Sequence, residues 1–117
     1  TKKGGAVVLL ADAPEGYGEK VFEQWINEAS GPEDIVRRIK TNFKMGGHKA
    51  FGFAKVAAEK KVYMVTSMSE EQVKKLFASK VSSVEEALRS IRADMGENWT
   101  CVVMPEGGLT VPVLPPA

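Results

Sequence analysis

Residues Ala6–Leu10 read AVVLL, and the stretch from Asp12 to Gly18 reads DAPEGYG. A short, unbroken run of Val and Leu suits a strand covered on both faces, as in a parallel sheet. The Asp12–Gly18 stretch cannot be regular structure. Pro14 fixes one φ and lacks a donor, while Gly16 and Gly18 admit positive φ. A strand that ends in a glycine-bearing loop and feeds a helix is the opening of an α/β unit.

Outward from that opening, Glu19–Ala29 has Phe22, Trp25, Ile26 and Ala29 at helical spacing. Ser30-Gly31-Pro32-Glu33 restarts the chain, with Ser30 and Glu33 at capping-box spacing. Ile35, Val36, Ile39 and Phe43 share one face of a second helix, which Gly46-Gly47 stops. A third helix begins near His48 and closes at Lys60-Lys61, and Gly52 within it suggests close packing against a neighbour. Val62–Val65 (VYMV) reads as a second buried strand. Ser69 with Gln72, and Ser82 or Ser83 with Glu85 or Glu86, mark two more helix starts. Gly96 marks the stop of the last one. Thr100–Met104 (TCVVM) reads as the third strand, and Pro105–Gly108 as a turn. The expected fold is therefore α/β: a three-layer domain with a small, mostly parallel sheet of about three strands and about five helices.

Length and composition bound the rest. The chain has 117 residues, 44% hydrophobic and 26% charged, which is the size of one ordinary domain, residues 1–117. A chain this long buries roughly two-thirds of its unfolded surface, so one core suffices without staples. With 16 basic and 15 acidic residues the net charge is +1, against a nucleic-acid partner. The only cysteine is Cys101 and the only histidine His48, so no disulfide framework and no self-contained His/Cys metal site is expected. Cys101, inside an apolar run, reads as buried and inert. No apolar run reaches the ~18–20 residues that span a bilayer, and no signal peptide is visible. A cytoplasmic location is the resulting expectation. The start at Thr1 fits a piece of a longer protein.

Two segments could carry chemistry. Ligand-facing loops of parallel sheets gather at the carboxyl ends of the strands, here expected at Asp12–Gly18, Thr66–Ser69 and Pro105–Gly108. In Glu15-Gly16-Tyr17-Gly18-Glu19-Lys20, glycines at a helix start could let backbone N–H groups approach an anion. Asp12 and Glu15 would repel a phosphate, and a tight strand-to-helix turn explains the same residues. In Gly46-Gly47-His48-Lys49, a His and a Lys sit at a helix start after two glycines. They could bind a carboxylate, and His48 could act as acid or base. A helix-to-helix turn with Lys49 solvated is the competing reading. Cations at a helix N-terminus oppose its dipole, which calls for an explanation beyond the helix itself. Glu106 has nothing specific behind it.

These segments together resemble a known family. Gly4-Gly5 before the first strand, Glu15-Gly16-Tyr17-Gly18, the Phe22/Trp25 helix and Phe43-Lys44-Met45-Gly46-Gly47-His48-Lys49-Ala50 occur in order. Val62-Tyr63-Met64-Val65-Thr66, then Val103-Met104-Pro105-Glu106-Gly107-Gly108 and Pro112, complete it. The chain is similar, over essentially its whole length, to the C-terminal domain of the nickel-dependent lactate racemase family. The resemblance implies a larger two-domain racemase or epimerase of 2-hydroxy acids that carries a nickel-pincer nucleotide. It implies that the catalytic and nickel-binding histidines lie in an N-terminal domain, since this chain has one histidine. The chain then closes over cofactor and substrate, holds neither alone, and is inactive by itself. Glu15, Gly16, Tyr17, Gly18, Lys20, Gly46, Gly47, His48 and Lys49 are the residues expected to face that cleft, with no membrane partner. Lys20 and Lys49 are the candidates for steadying carboxylate or phosphate groups. The alternative is a stand-alone α/β module that binds a small anion at the Gly-rich helix start.

Overall fold

The computed structural model of the chain describes residues 1–116. In chain order it comprises β1 (Ala6–Leu10), α1 (Lys20–Glu28), α2 (Pro32–Thr41), α3 (Gly47–Glu59), β2 (Lys61–Val65), α4 (Glu70–Lys75), β3 (Ser79–Lys80) and α5 (Val84–Met95). A short 3-10 turn follows at Gly107–Leu109. The sheet order is β1-β2-β3 and both pairings are parallel. Ala6 lies opposite Lys61, Leu10 opposite Val65, and Tyr63 opposite Ser79.

Alternation along β2 sorts the two faces, because successive side chains of a strand point to opposite sides. Val62 and Met64 join a cluster with Trp25, Ile26, Ile35, Ala50 and Val73, from α1 to α4. Tyr63 and Val65 pack on the other side with Ala87 and Ile91 of α5. The sheet is thus covered by α1–α4 on one face and α5 on the other. This is the three-layer α/β arrangement that the sequence pattern predicts, with five helices among the described residues. At one edge Lys61 Nζ reaches Asp94 Oδ2 at 2.5 Å, tying α5 to the start of β2.

Helix starts follow their sequence signals unevenly. Ser69 and Gln72 form a reciprocal capping box on α4. Ser83 caps α5, its Oγ accepting the Glu86 N–H at 3.2 Å, while the Glu86 carboxylate accepts from Ser82 N–H and Oγ. The expected Ser30/Glu33 box does not form. Gly31 is the N-cap of α2, and Asp34, not Glu33, reaches back to the Ser30 N–H at 2.8 Å. Nor do Gly46-Gly47 stop α2, which ends at Thr41 and leaves Phe43 outside the helix, exposed.

Four further expectations are corrected. Thr100–Met104 is not the third strand: it is irregular and exposed, without a ladder partner. The third strand is Ser79–Lys80, whose two polar residues carry no hydrophobic signature and pair through backbone alone. Pro105–Gly108 therefore does not sit at a strand end. Cys101 is exposed, because the segment it belongs to is. Gly52 packs on nothing, since a Cβ there would meet no atom within 4 Å.

Candidate functional site

The carboxyl edge of the sheet gathers the loop after β1, the loop after β2 and the start of α3. The first two are joined directly. Ala13 N–H donates to Ser67 Oγ at 3.3 Å, and the Ser67 hydroxyl donates to the Asp12 carboxylate. Further along, Tyr17 Oη donates to the Gln72 carbonyl at 2.9 Å, pinning the loop to α4. Burial, then the nearby carboxylates Glu23 and Glu71, push the Tyr17 phenol above its usual range, so it remains a neutral donor. Gly16, at φ 66°, lies against the Gln72 amide, where the turn needs a residue at home in the left-handed region.

Glu19 is the hinge between the two predicted segments. It is the N-cap of α1, with Oε2 accepting the Phe22 N–H at 2.7 Å. The same carboxylate fills the space beside Gly46, which has φ 92°, so a Cβ at Gly46 would run into it. Its pKa is held below the ordinary range by the Phe22 and Val21 N–H groups, with smaller help from Lys49 and His48. The structure thus brings Glu19 into the field of His48 and Lys49, although some thirty residues of chain separate them. Sequence reasoning placed Glu19 in the first segment without singling it out. Glu is an uncommon N-cap, so no capping signal marks it.

Gly47 plays a packing part. A Cβ there would come within 2.7 Å of the Trp25 indole, so only glycine lets α3 start against that ring. Arg38 lies over the Trp25 ring, its guanidinium carbon 4.5 Å from a ring centroid. His48 is exposed, and its Nδ1 accepts the Gly46 N–H at 3.2 Å, which puts the ring proton on Nε2. Phe43 stacks alongside it at 6.4 Å. Lys49 is exposed in the same turn, and Glu15, Gly18 and Lys20 are exposed around the loop after β1.

The anion-cradle reading changes in detail. The α3 start has no side-chain cap. Yet Gly47 N–H donates to Lys44 O at 3.0 Å and Lys49 N–H to Gly46 O at 3.2 Å, so the turn itself engages those donors. Beside those engaged backbone donors, the turn exposes the Lys49 ammonium and the His48 Nε2–H. Among the described residues no three His, Cys, Asp or Glu side chains come together as a metal site. No helix of the described residues is long and apolar enough to cross a membrane.

The comparisons with known proteins agree with this architecture. Lactate racemase from Thermoanaerobacterium thermosaccharolyticum is 27% identical over 111 residues. That match takes in 91% of this chain but only 26% of the racemase. The solved structure of the lactate racemase apoprotein from the same organism superposes with a TM-score of 0.74 at 27% identity. It covers 80% of this chain and 24% of that one. The chain therefore spans about a quarter of the length of the racemase it matches. The family described as the lactate racemase C-terminal domain matches residues 1–113, and with nearly its whole length inside that match the chain belongs to this family.

Proposed function

We propose that residues 1–117 are one domain, the C-terminal part of a racemase or epimerase of small 2-hydroxy acids. In this reading the domain closes over a substrate and a nickel-pincer nucleotide held mainly by an N-terminal catalytic domain of the same chain. The observation that carries it is the match of nearly the whole chain to the C-terminal domain of a racemase about four times as long.

The chain's own residues do not fit a nickel centre. His48 is the only histidine, its Nδ1 is engaged by the Gly46 N–H, and among the described residues no three His, Cys, Asp or Glu side chains come together. The nickel and the acid–base histidines belong, on this reading, to the other domain. This chain supplies charge and cover. Lys49 and His48 offer a cation and an N–H donor to a substrate carboxylate or a cofactor phosphate. Glu19, kept ionised below the usual range, holds their turn in place from the α1 side. Clefts between domains are common reaction sites, and closure keeps water from a reactive centre.

The test uses the full-length protein, produced together with the cofactor-assembly machinery. Nickel content and interconversion of D- and L-lactate, with a panel of other 2-hydroxy acids, are measured beside residues 1–117 alone. Nickel and activity in the full-length protein, with neither in the isolated domain, are expected. A properly matured full-length protein without nickel overturns the racemase reading. Carboxylate or phosphate binding by the isolated domain would then point to the anion-binding module.

A further inference from the structure

β1 is an edge strand that lies open. Parallel strands are normally buried on both faces and at both sides, and an open apolar edge is a template for pairing. Leu10 is 61% exposed and Leu9 39%. Beside this edge runs an apolar groove of about 280 Å³, between Val7 and Leu9 of β1 and Gly52, Phe53 and Val56 of α3. Elsewhere in the chain, Val102 and Val103 are 83% and 77% exposed in a five-residue run of strand-like composition.

The topology brings these two unmatched surfaces together. Helix α5 covers the face opposite α1–α4 and packs on β1. Its last turn lies at the amino edge of the sheet, where Asp94 meets Lys61, and Lys61 is the register partner of Ala6. Gly96, at φ 73°, ends the helix there. Trp99 is then half-buried in the cluster that includes Ala6 and Val8. Trp99 and the β1 residues Ala6 and Val8 thus pack on one cluster, and the chain leaves that cluster at Thr100. A crossover from β3 through α5 to the outer side of β1 is right-handed. It moves across the sheet in the direction opposite to β1–β2–β3, on the opposite face.

We propose that Thr100–Met104 docks on the open edge of β1 as a fourth parallel strand, giving the spatial order 4-1-2-3. With Trp99 facing α5, Cys101 and Val103 share that face, while Val102 and Met104 enter the groove against Val7, Leu9 and Val56. Gly52 keeps the floor of that groove open. Pairing would also carry Pro105–Gly108 to the carboxyl edge, beside the loop Asp12–Gly18. There the sheet reverses direction, which is where open α/β sheets place ligands.

Neighbouring strands lie about 4.8 Å apart, within the roughly 4.4–6.8 Å Cα range of a disulfide. The experiment therefore uses Cys101 as it stands. In the full-length protein, with any cysteine outside these residues replaced by serine, Val8→Cys, Ala6→Cys and Val7→Cys are each oxidised under mild conditions. Docking predicts an intrachain cross-link to Cys101 for Val8→Cys or Ala6→Cys and none for Val7→Cys. Equal cross-linking on both faces, or no cross-link in any variant, overturns the proposal. Cross-links formed only between chains overturn it too, and give the edge to a second copy. Hydrogen exchange on the unaltered protein decides independently of how the variants fold. Alternate amides within Cys101–Met104, those turned toward β1, should exchange about a hundredfold more slowly than the amides of Val111, Val113 and Leu114. Equal exchange refutes the strand.

Discussion

Gly47 starts α3 in contact with the Trp25 ring, with 2.7 Å between that ring and the place where a Cβ would stand. Two helices that are not consecutive in the chain, α1 and α3, thereby share one contact point, and the His48-Lys49 turn is fixed relative to α1. Gly47→Ala should therefore overpack the site and cost about 1–3 kcal/mol. The indole N–H has no partner among the described residues, so shrinking the ring forfeits no hydrogen bond. Trp25→Phe should make room for the new methyl group. In a double-mutant cycle the pair should be less destabilised than the sum of the singles, by about 0.5 kcal/mol or more. Additive losses in urea unfolding would show that the ring does not constrain Gly47.

Glu19, which caps α1 and lies beside Gly46, gives the stability of this region a pH dependence. Its folded-state pKa is depressed by the Phe22 and Val21 N–H groups, then by Lys49 and His48. A depressed carboxylate stabilises the fold above its unfolded pKa, and that contribution is lost as pH falls through the folded value. The acid limb of the stability profile should thus be shallower in Glu19→Gln than in the unaltered protein. The two curves should converge at the most acid end. A parallel acid limb in the variant would mean that Glu19 is not linked to folding.

Ser83 tests a cap in isolation from the site. Its Oγ accepts the Glu86 N–H at 3.2 Å at the head of α5. Ser83→Ala should lower stability by about 1 kcal/mol. Ser82→Ala should cost less than Ser83→Ala, because the Ser82 N–H still donates to Glu86 when the hydroxyl is gone. Thermal melts of the two variants rank the two roles.

How far the fold was legible depends on where its information lies. The VYMV run is readable because both faces of β2 are covered by helices, so its positions are apolar. Ala6–Leu10 is readable because its run is apolar throughout, although Leu9 and Leu10 stay exposed. Ser69/Gln72 and Ser83/Glu86 are readable because a cap is a local hydrogen bond. Ser79–Lys80 is not readable. It pairs through backbone with Tyr63 and Met64, and the segment before it is a helix stop without glycine. There Phe77 takes φ 60°, with its N–H on Lys74 O and the Ala78 N–H on Val73 O. Thr100–Met104 shows the opposite case: its pattern is that of a strand, but it stands exposed and unpaired in this structure, and composition does not say which strand it would join. At the candidate site, Gly46-Gly47 was legible as special. Whether glycine served an incoming anion or a neighbouring side chain depends on Glu19 and Trp25, which only folding brings there.

Lys49 separates binding from structure at this edge. It is exposed, and its backbone N–H already serves the turn, so removing the side chain should leave stability within about 0.5 kcal/mol. If it faces a substrate carboxylate, Lys49→Ala in the full-length protein should raise KM for lactate by about tenfold or more, the scale of one charged hydrogen bond. Lys49→Arg should recover much of that loss, because charge is kept, while Lys20→Ala reports whether the loop after β1 shares the task. Unchanged kinetics in both alanine variants would remove this edge from the cleft and leave Glu19, Gly46 and Gly47 as parts of a turn that only joins α1 to α3.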